Sequence, residues 1–231
     1  FEGKKELFEG LAIEKLEKEW NTYPVLHFDL SKGKHMEKEQ LNRYLLDIIE
    51  KQEARFDCMS NKIDVNIRLD DLINAVYQKT GKQVVVLIDE YDAPLLDVMN
   101  DKVRLPSLRQ IMRNFYSPIK SLDPYLRFVF ITGINKFAQL SIFSELNNLQ
   151  NISMMPRYSA ICGITQSELE RDMKEPVRDL ADSQGVSYDN ALQLLKHNYD
   201  GYHFCEDSAG IYNPFSLLNT FDSLKFKEYW F

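Results

Sequence analysis

Hydrophobic and polar positions along this chain alternate between two textures. From 36 to 56, Leu41, Leu45, Ile48 and Ile49 recur at three- and four-residue spacing on a charged background, which predicts an amphipathic helix. Leu69, Leu72, Ile73 and Val76 repeat the pattern and stop at Gly81, a helix terminator, so a second helix is expected over 69–80. Leu108, Ile111, Met112, Phe115 and Ile119 keep the same period. Between these helices lie short, uniformly apolar runs: "VVVLI" at 84–88, "RFVFITGIN" at 127–135 and, less purely, "YPVLHFDLS" at 23–31. A strand with one wet face would alternate, whereas uninterrupted runs suit strands covered on both faces, as in a parallel sheet. Strand, helix, strand in this order predicts an α/β domain whose ligand site lies past the carboxyl ends of the strands. Residues 1–20 predict one further helix, with Leu7, Leu11, Leu16 and Trp20 as its buried stripe, interrupted near Gly10.

The texture changes after residue 150. "NISMMP" at 151–156 reads as one more short strand. Thr165 and Glu168 then stand at capping-box spacing, "SYDNALQLLKHNYDGYHF" reads as a helix, and Pro214 opens another. The expected organisation is an α/β core over 1–156 and a smaller, mainly helical lobe over 157–231. The chain opens on Phe1 rather than Met and closes on "KEYWF", which reads like a piece of something longer.

Composition narrows the function classes. A content of 44% hydrophobic and 27% charged residues in 231 is that of an ordinary globular protein. The formal net charge of -7 argues against the chain as a whole wrapping a nucleic acid, which needs a surplus of Lys and Arg on some face. Cys58, Cys162 and Cys205 form no CxxC pair, so neither a disulfide framework nor a zinc knuckle is indicated, and a reducing cytoplasm fits best. No apolar run has the length of a membrane span and the start lacks a signal-peptide layout, so a soluble, cytoplasmic protein without membrane contact is expected.

The sharpest chemical signal is "VVVLIDEYD", a buried run that ends in acid. One acid after a strand needs no more explanation than water. Adjacent acids at a rigid strand end repel and raise each other's pKa unless they share a cation, and a divalent metal is the obvious one. This is a Walker B layout, in which Asp89 holds Mg²⁺ through coordinated water and Glu90 polarises an attacking water. The next strand ends in Thr132, Gly133 and Asn135. Additional-strand P-loop ATPases place a small polar residue there to sense the terminal phosphate, although these residues would equally make a plain turn.

Arg157, at the junction of the two lobes, stands where nucleotide state would be read out. Lys102, Arg104, Arg109 and Arg113 read as a solvated helix face or as a source of an arginine finger. His197, His203 and Cys205 match no zinc spacing and are expected to pack among aromatics. No lysine completes a PD-(D/E)XK nuclease centre, and no GxSxG elbow occurs.

Taken together, "FEGKKELFEGLAIEKLEKEWNTYPVLHFDLS", "LIDEYDAPL", "ITGINKFAQLSIFSELNNLQNIS", "RYSAICGITQSEL", "YDGYHF" and "YNPFSLLN" resemble the AAA-ATPase-like family of bacterial proteins, in the family's order and over nearly the whole chain. The resemblance implies a three-layer P-loop NTPase-like parallel sheet of the AAA or STAND type, ATP and Mg²⁺ as ligands, and a helical or winged-helix-like lobe at the C-terminal side. It also implies a PD-(D/E)XK nuclease-like domain downstream in full-length members, through which alone nucleic acid would be met. One departure matters. Family members carry an "RPRRFGKS"-like phosphate loop upstream, and no GxxxxGK[ST] occurs in these 231 residues. Backbone amides and the lysine of that loop supply most of the grip on the phosphates. Asp89 and Glu90 alone are therefore expected to bind nucleotide weakly or not at all, and the missing strand is expected to leave a gap inside the sheet that invites self-association. Two readings stand: a Mg²⁺-dependent ATPase domain, inactive as this fragment, or a nucleotide-gated interaction module with little turnover.

Overall fold

The computed structural model describes residues 1–34, 37–134, 148–202 and 210–229. The chain divides into two compact units, Phe1–Gln150 and Asn151–Phe231.

The first unit is built on three parallel strands, β1 (Val25–Asp29), β2 (Val84–Asp89) and β3 (Leu126–Ile131), hydrogen-bonded in the order β1-β2-β3. The register runs from Val25↔Val85 to Asp29↔Asp89 on one side and from Val85↔Phe128 to Ile88↔Ile131 on the other. A short helix α1 (Ala12–Leu16) precedes the sheet; α2 (Lys38–Phe56) and α3 (Val65–Thr80) connect β1 to β2; α4 (Ala93–Leu96), α5 (Arg104–Tyr116) and α6 (Pro118–Ser121) connect β2 to β3. The periodic stripes do what their spacing predicts. Leu41, Leu45 and Ile49 of α2, Leu69, Ile73 and Val76 of α3, and Leu108, Met112 and Phe115 of α5 are all buried. They pack with Leu26, Phe28, Val84, Val86 and Ile88 from one face of the sheet into a single core.

The other face of the sheet is less covered among the described residues. Val25 and Val85 are buried there, but His27 is exposed, Leu87 and Phe130 are half-buried, and Phe128 is 42% exposed. Among the described residues this face carries the N-terminal segment, with Phe1 stacked at 5.6 Å on Phe128, and no helical layer. The predicted stripe of that segment is not buried: Leu7, Leu11 and Leu16 are exposed and Trp20 is half-buried. The reason is local. Gly3 and Gly10 take positive φ, and the segment breaks into a 3-10 turn of 4 residues and a helix of 5, too short to hold a stripe against anything.

The expected gap inside the sheet is also absent, because β1, β2 and β3 are contiguous. What is open is an edge: among the described residues β3 has no partner on its outer side.

An ion pair locks α2 to α3 within the core. Arg68 donates from Nε to Glu53 Oε1 at 2.8 Å and from Nη2 to Oε2 at 2.7 Å, with Glu53 fully buried. These bonds hold the Arg68 guanidinium above its usual pKa. At the head of α5, Asp101 Oδ1 accepts the backbone N–H groups of Val103 and Arg104, each at 2.9 Å, while its Oδ2 accepts from Arg104 Nε at 2.7 Å.

The second unit packs helices Gln166–Asp172, Lys174–Gln184, Tyr188–Tyr199 and Pro214–Ser223 around Leu169, Val177, Leu180, Leu195, Tyr212 and Leu217. Thr165 and Glu168 form the predicted capping box, and Pro214 opens its helix behind Asn213. Residues 151–156 form no strand. Instead β4 (Ile164–Thr165), β5 (Asp200–Tyr202) and β6 (Ile211–Tyr212) make a small antiparallel sheet in the order β4-β6-β5. Strands of two or three residues are too short to show a period, and β5 cuts off the helix predicted to run through Phe204. No helix among the described residues is long and apolar enough to cross a membrane.

Two stability predictions follow from these contacts. Glu53→Ala strands a buried guanidinium and is expected to cost about 3–5 kcal/mol in urea unfolding, while Glu53→Leu combined with Arg68→Met is expected to stay near neutral. The Asp101 carboxyl is held down to about 2, first by the Arg104 N–H, then by the Arg104 guanidinium and the Val103 N–H. A depressed folded pKa stabilises above the unfolded value, so the advantage of wild type over Asp101→Asn in urea midpoint should be complete above about pH 5 and fade as pH falls through about 2.

Candidate functional site

All three parallel strands point their carboxyl ends the same way, so Asp29, Asp89 and Thr132 arrive at one rim. Asp29 and Asp89 are partners on the last rung of β1 and β2, both exposed. The Asp29 carboxylate accepts the Ser31 N–H at 2.8 Å, and the side-chain and backbone hydrogen bonds of Ser31 hold its pKa below the usual carboxylate value. The Leu30 N–H bonds the Asp89 carbonyl at 3.0 Å, carrying the ladder one residue past β1.

The ladder continues beyond β2 and β3 as well. Thr132 N–H donates to the Ile88 carbonyl and Tyr91 N–H to the Thr132 carbonyl, both at 2.9 Å. This places the Thr132 hydroxyl against Asp89, where it donates a hydrogen bond to Oδ1; the Glu90 N–H reaches the same oxygen at 3.1 Å.

Glu90 sits in the left-handed region, with φ of 49°. That conformation is uncommon for a residue with a Cβ, and it breaks the strand's alternation. Asp89 is exposed and Glu90 half-buried, whereas Tyr91 and Asp92, the next two residues, are both buried. Among the described residues the Glu90 carboxylate has no hydrogen-bond or ion-pair partner. Behind the kink, α4 starts at once: Ala93 N–H bonds the Glu90 carbonyl at 3.0 Å and Leu95 N–H the Asp92 carbonyl at 2.8 Å. Tyr116 of α5 donates its hydroxyl to the Tyr91 carbonyl at 3.1 Å. Burial, and then the Asp92 charge, push the Tyr91 hydroxyl well above its usual pKa, so it stays protonated. Asp92 Oδ1 accepts the Ile134 N–H at 3.2 Å. Between them, Gly133 passes so close that a Cβ there would press into the Tyr91 ring and stand 2.6 Å from Asp92 Oδ1.

Of the residues singled out from sequence, the fold brings Asp89, Glu90 and Thr132 together. Asn135 lies outside the described residues, as do His203 and Cys205. His197 is exposed in the last turn of its helix rather than packed. Arg157 belongs to the second unit, on the 3-10 turn Pro156–Tyr158, exposed, with its guanidinium 4.5 Å over the Tyr158 ring and donating to that hydroxyl at 2.6 Å. On α5, Arg104 is engaged by Asp101 and by Glu37 at 3.0 Å, and Arg109 is half-buried with an unpartnered Nε. Sequence reasoning passed over Asp29 and Asp92 as site residues. Asp29 could have been found, since it closes an apolar run as Asp89 does; Asp92 could not, because nothing in "DEYD" says which acids turn inward.

No three His, Cys, Asp or Glu side chains among the described residues converge on a metal position. The donor set at this rim, the exposed carboxylates of Asp29 and Asp89 with the Thr132 hydroxyl beside Asp89, suits Mg²⁺ that keeps its waters and takes its other ligands from a substrate phosphate.

Comparison with known proteins fits this geometry. The family model described as Predicted AAA-ATPase matches residues 1–143. A relative from Azotobacter chroococcum mcd 1, described as "Uncharacterized protein in vnfD 5'region", is 31% identical over all 231 residues. The chain spans 42% of that relative's length. No solved structure matches.

The Tyr116 hydroxyl is the buried support under the turn. Tyr116→Phe should leave the Tyr91 carbonyl short of a donor and lower stability by about 1–3 kcal/mol, measured by urea unfolding.

Proposed function

The chain belongs to the AAA-ATPase-like family, and we propose that within a longer protein it forms the metal-binding and water-activating side of a Mg²⁺-dependent ATP-hydrolysing site. The observation that carries this reading is the pairing of two outward acids at the end of a buried strand with the Thr132 hydroxyl at the end of the next. Asp89 offers one carboxylate oxygen to Thr132 and the Glu90 N–H, leaving the other for a metal-bound water. Mg²⁺ bound there with the nucleotide would neutralise charge that develops on the phosphates. Glu90, half-buried and without a partner among the described residues, would accept a hydrogen bond from an attacking water and hold it in line. In this reading Thr132 and Asn135 are the candidates for sensing the terminal phosphate, and Arg157 is the candidate for reading nucleotide state.

The phosphate grip must come from elsewhere, since no GxxxxGK[ST] occurs in these residues. By itself the chain should therefore bind ATP weakly and turn over none. Self-association along the open β3 edge, and contact with nucleic acid through a downstream nuclease-like domain, belong to the same reading.

A second reading, a nucleotide-gated switch with little turnover, draws on the Thr132–Asp89 hydrogen bond, which satisfies the metal-side carboxylate internally when no nucleotide is held.

Turnover separates the two. In the longer protein with its phosphate loop present, Glu90→Gln should lower the rate of phosphate release about 100-fold or more while ATP binding, followed by calorimetry, is kept. An undiminished rate removes the assignment of Glu90, and tight binding with negligible release in the unaltered protein supports the switch.

A further inference from the structure

Asp92 is fully buried, three residues past the metal-side acid, and the reaction outlined above gives it no part. Its place in the fold gives it one. The chain leaves β2 at Asp89 with that residue exposed, Glu90 half-buried and both Tyr91 and Asp92 buried, an order that strand alternation does not give. The left-handed kink at Glu90 breaks the alternation at a cost in backbone strain, and such a residue persists only where its surroundings over-determine it. The surroundings here come mostly from the segment after β3: Thr132 receives the Tyr91 N–H, Gly133 lies against the Tyr91 ring, and Ile134 gives its N–H to Asp92.

The two loops are thus interlocked by one rung from each side. Tyr91 N–H reaches out to the β3 loop, and Ile134 N–H reaches back to the β2 loop. Cα–H at 133 is the only fit between them, since any larger group would wedge the rungs apart. Remove the return rung and Thr132 keeps its backbone bonds to Ile88 and Tyr91, but the chain beyond it loses its tie to the turn that carries Glu90.

We propose that Asp92 is a positioning residue, which through its carboxylate fixes the loop after β3 against the turn after β2 and so holds the turn that carries the Glu90 carboxylate in one geometry. For its catalytic consequence the proposal rests on the ATPase reading; for its structural content it does not. The bond to Ile134 needs an acceptor oxygen at Oδ1, which an amide side chain in the same place also offers.

Two measurements separate the claims. Hydrogen exchange on the 231-residue chain should show the Ile134 amide exchanging about tenfold faster in Asp92→Ala, the equivalent of one net hydrogen bond, with the amides of Val86, Ile88 and Tyr91 unchanged and Asp92→Asn close to wild type. Unchanged protection at Ile134 in the alanine variant, or equal loss in the asparagine and alanine variants, overturns the clamp. Should Asp92→Ala fail to fold, Asp92→Asn decides alone: retained protection at Ile134 supports the acceptor role and lost protection overturns it. In the longer protein, Asp92→Ala should lower kcat about 10- to 100-fold with little change in KM for MgATP, and Asp92→Asn should restore it. A Glu90→Gln variant run beside them isolates the other failure: if Glu90→Gln has no effect the ATPase reading falls, while the exchange result still judges the clamp. If Glu90→Gln slows turnover and Asp92→Ala does not, the positioning role falls alone.

Discussion

The hydrogen-bond ladder of a three-stranded parallel sheet is the constraint on which this site depends. Parallel strands end at the same side, so whatever residues close β1, β2 and β3 must meet there. Register then decides which of them touch. With Asp29 opposite Asp89 and Ile88 opposite Ile131, the first residue past β3 falls beside the last residue of β2, and Thr132 donates to Asp89 without any loop having to reach for it. A slip of one residue would turn the Asp89 carboxylate into the helix-covered core, where an unpaired acid is costly.

Burial keeps that register. One face of the sheet is fixed by the stripes of α2, α3 and α5, and α2 and α3 are held to each other by the buried Arg68–Glu53 pair as well as by apolar contact. Such a pair adds little net stability compared with a well-packed apolar one, but it penalises every alternative packing in which either charge loses its partner. The opposite face has no such helical stripe among the described residues: Phe128 and Phe130 stack on each other, with the Phe1 ring 5.6 Å from that of Phe128. The site is therefore rigid on its core side and sparsely covered on the other.

Much of this was legible in one dimension. Helical period placed α2, α3 and α5, and uniform apolar runs placed β2 and β3, because each pattern reports a burial geometry directly. The pairing of Asp89 with Thr132 followed from topology once the strands were known to be parallel neighbours. Other features left no trace in the pattern. Leu7, Leu11 and Leu16 carry a helical stripe, yet backbone breaks at Gly3 and Gly10 keep it from being used. The two- and three-residue strands of the second unit fall below the length at which a period exists. Most of all, "DEYD" gives no sign that its first acid is exposed and its second half-buried while its tyrosine and last acid are buried, a division that goes with the left-handed backbone at Glu90.

That dihedral sets stability and chemistry against each other at one position. Glycine at 90 would adopt the backbone without strain and asparagine nearly so, and either would be favoured by any selection that rewards folding alone. A glutamate retained there is thus a residue held against its own conformational preference. Thermostabilisation campaigns guided by backbone energetics would be drawn to this residue early, and would gain melting temperature by deleting a half-buried carboxylate that no other described side chain engages.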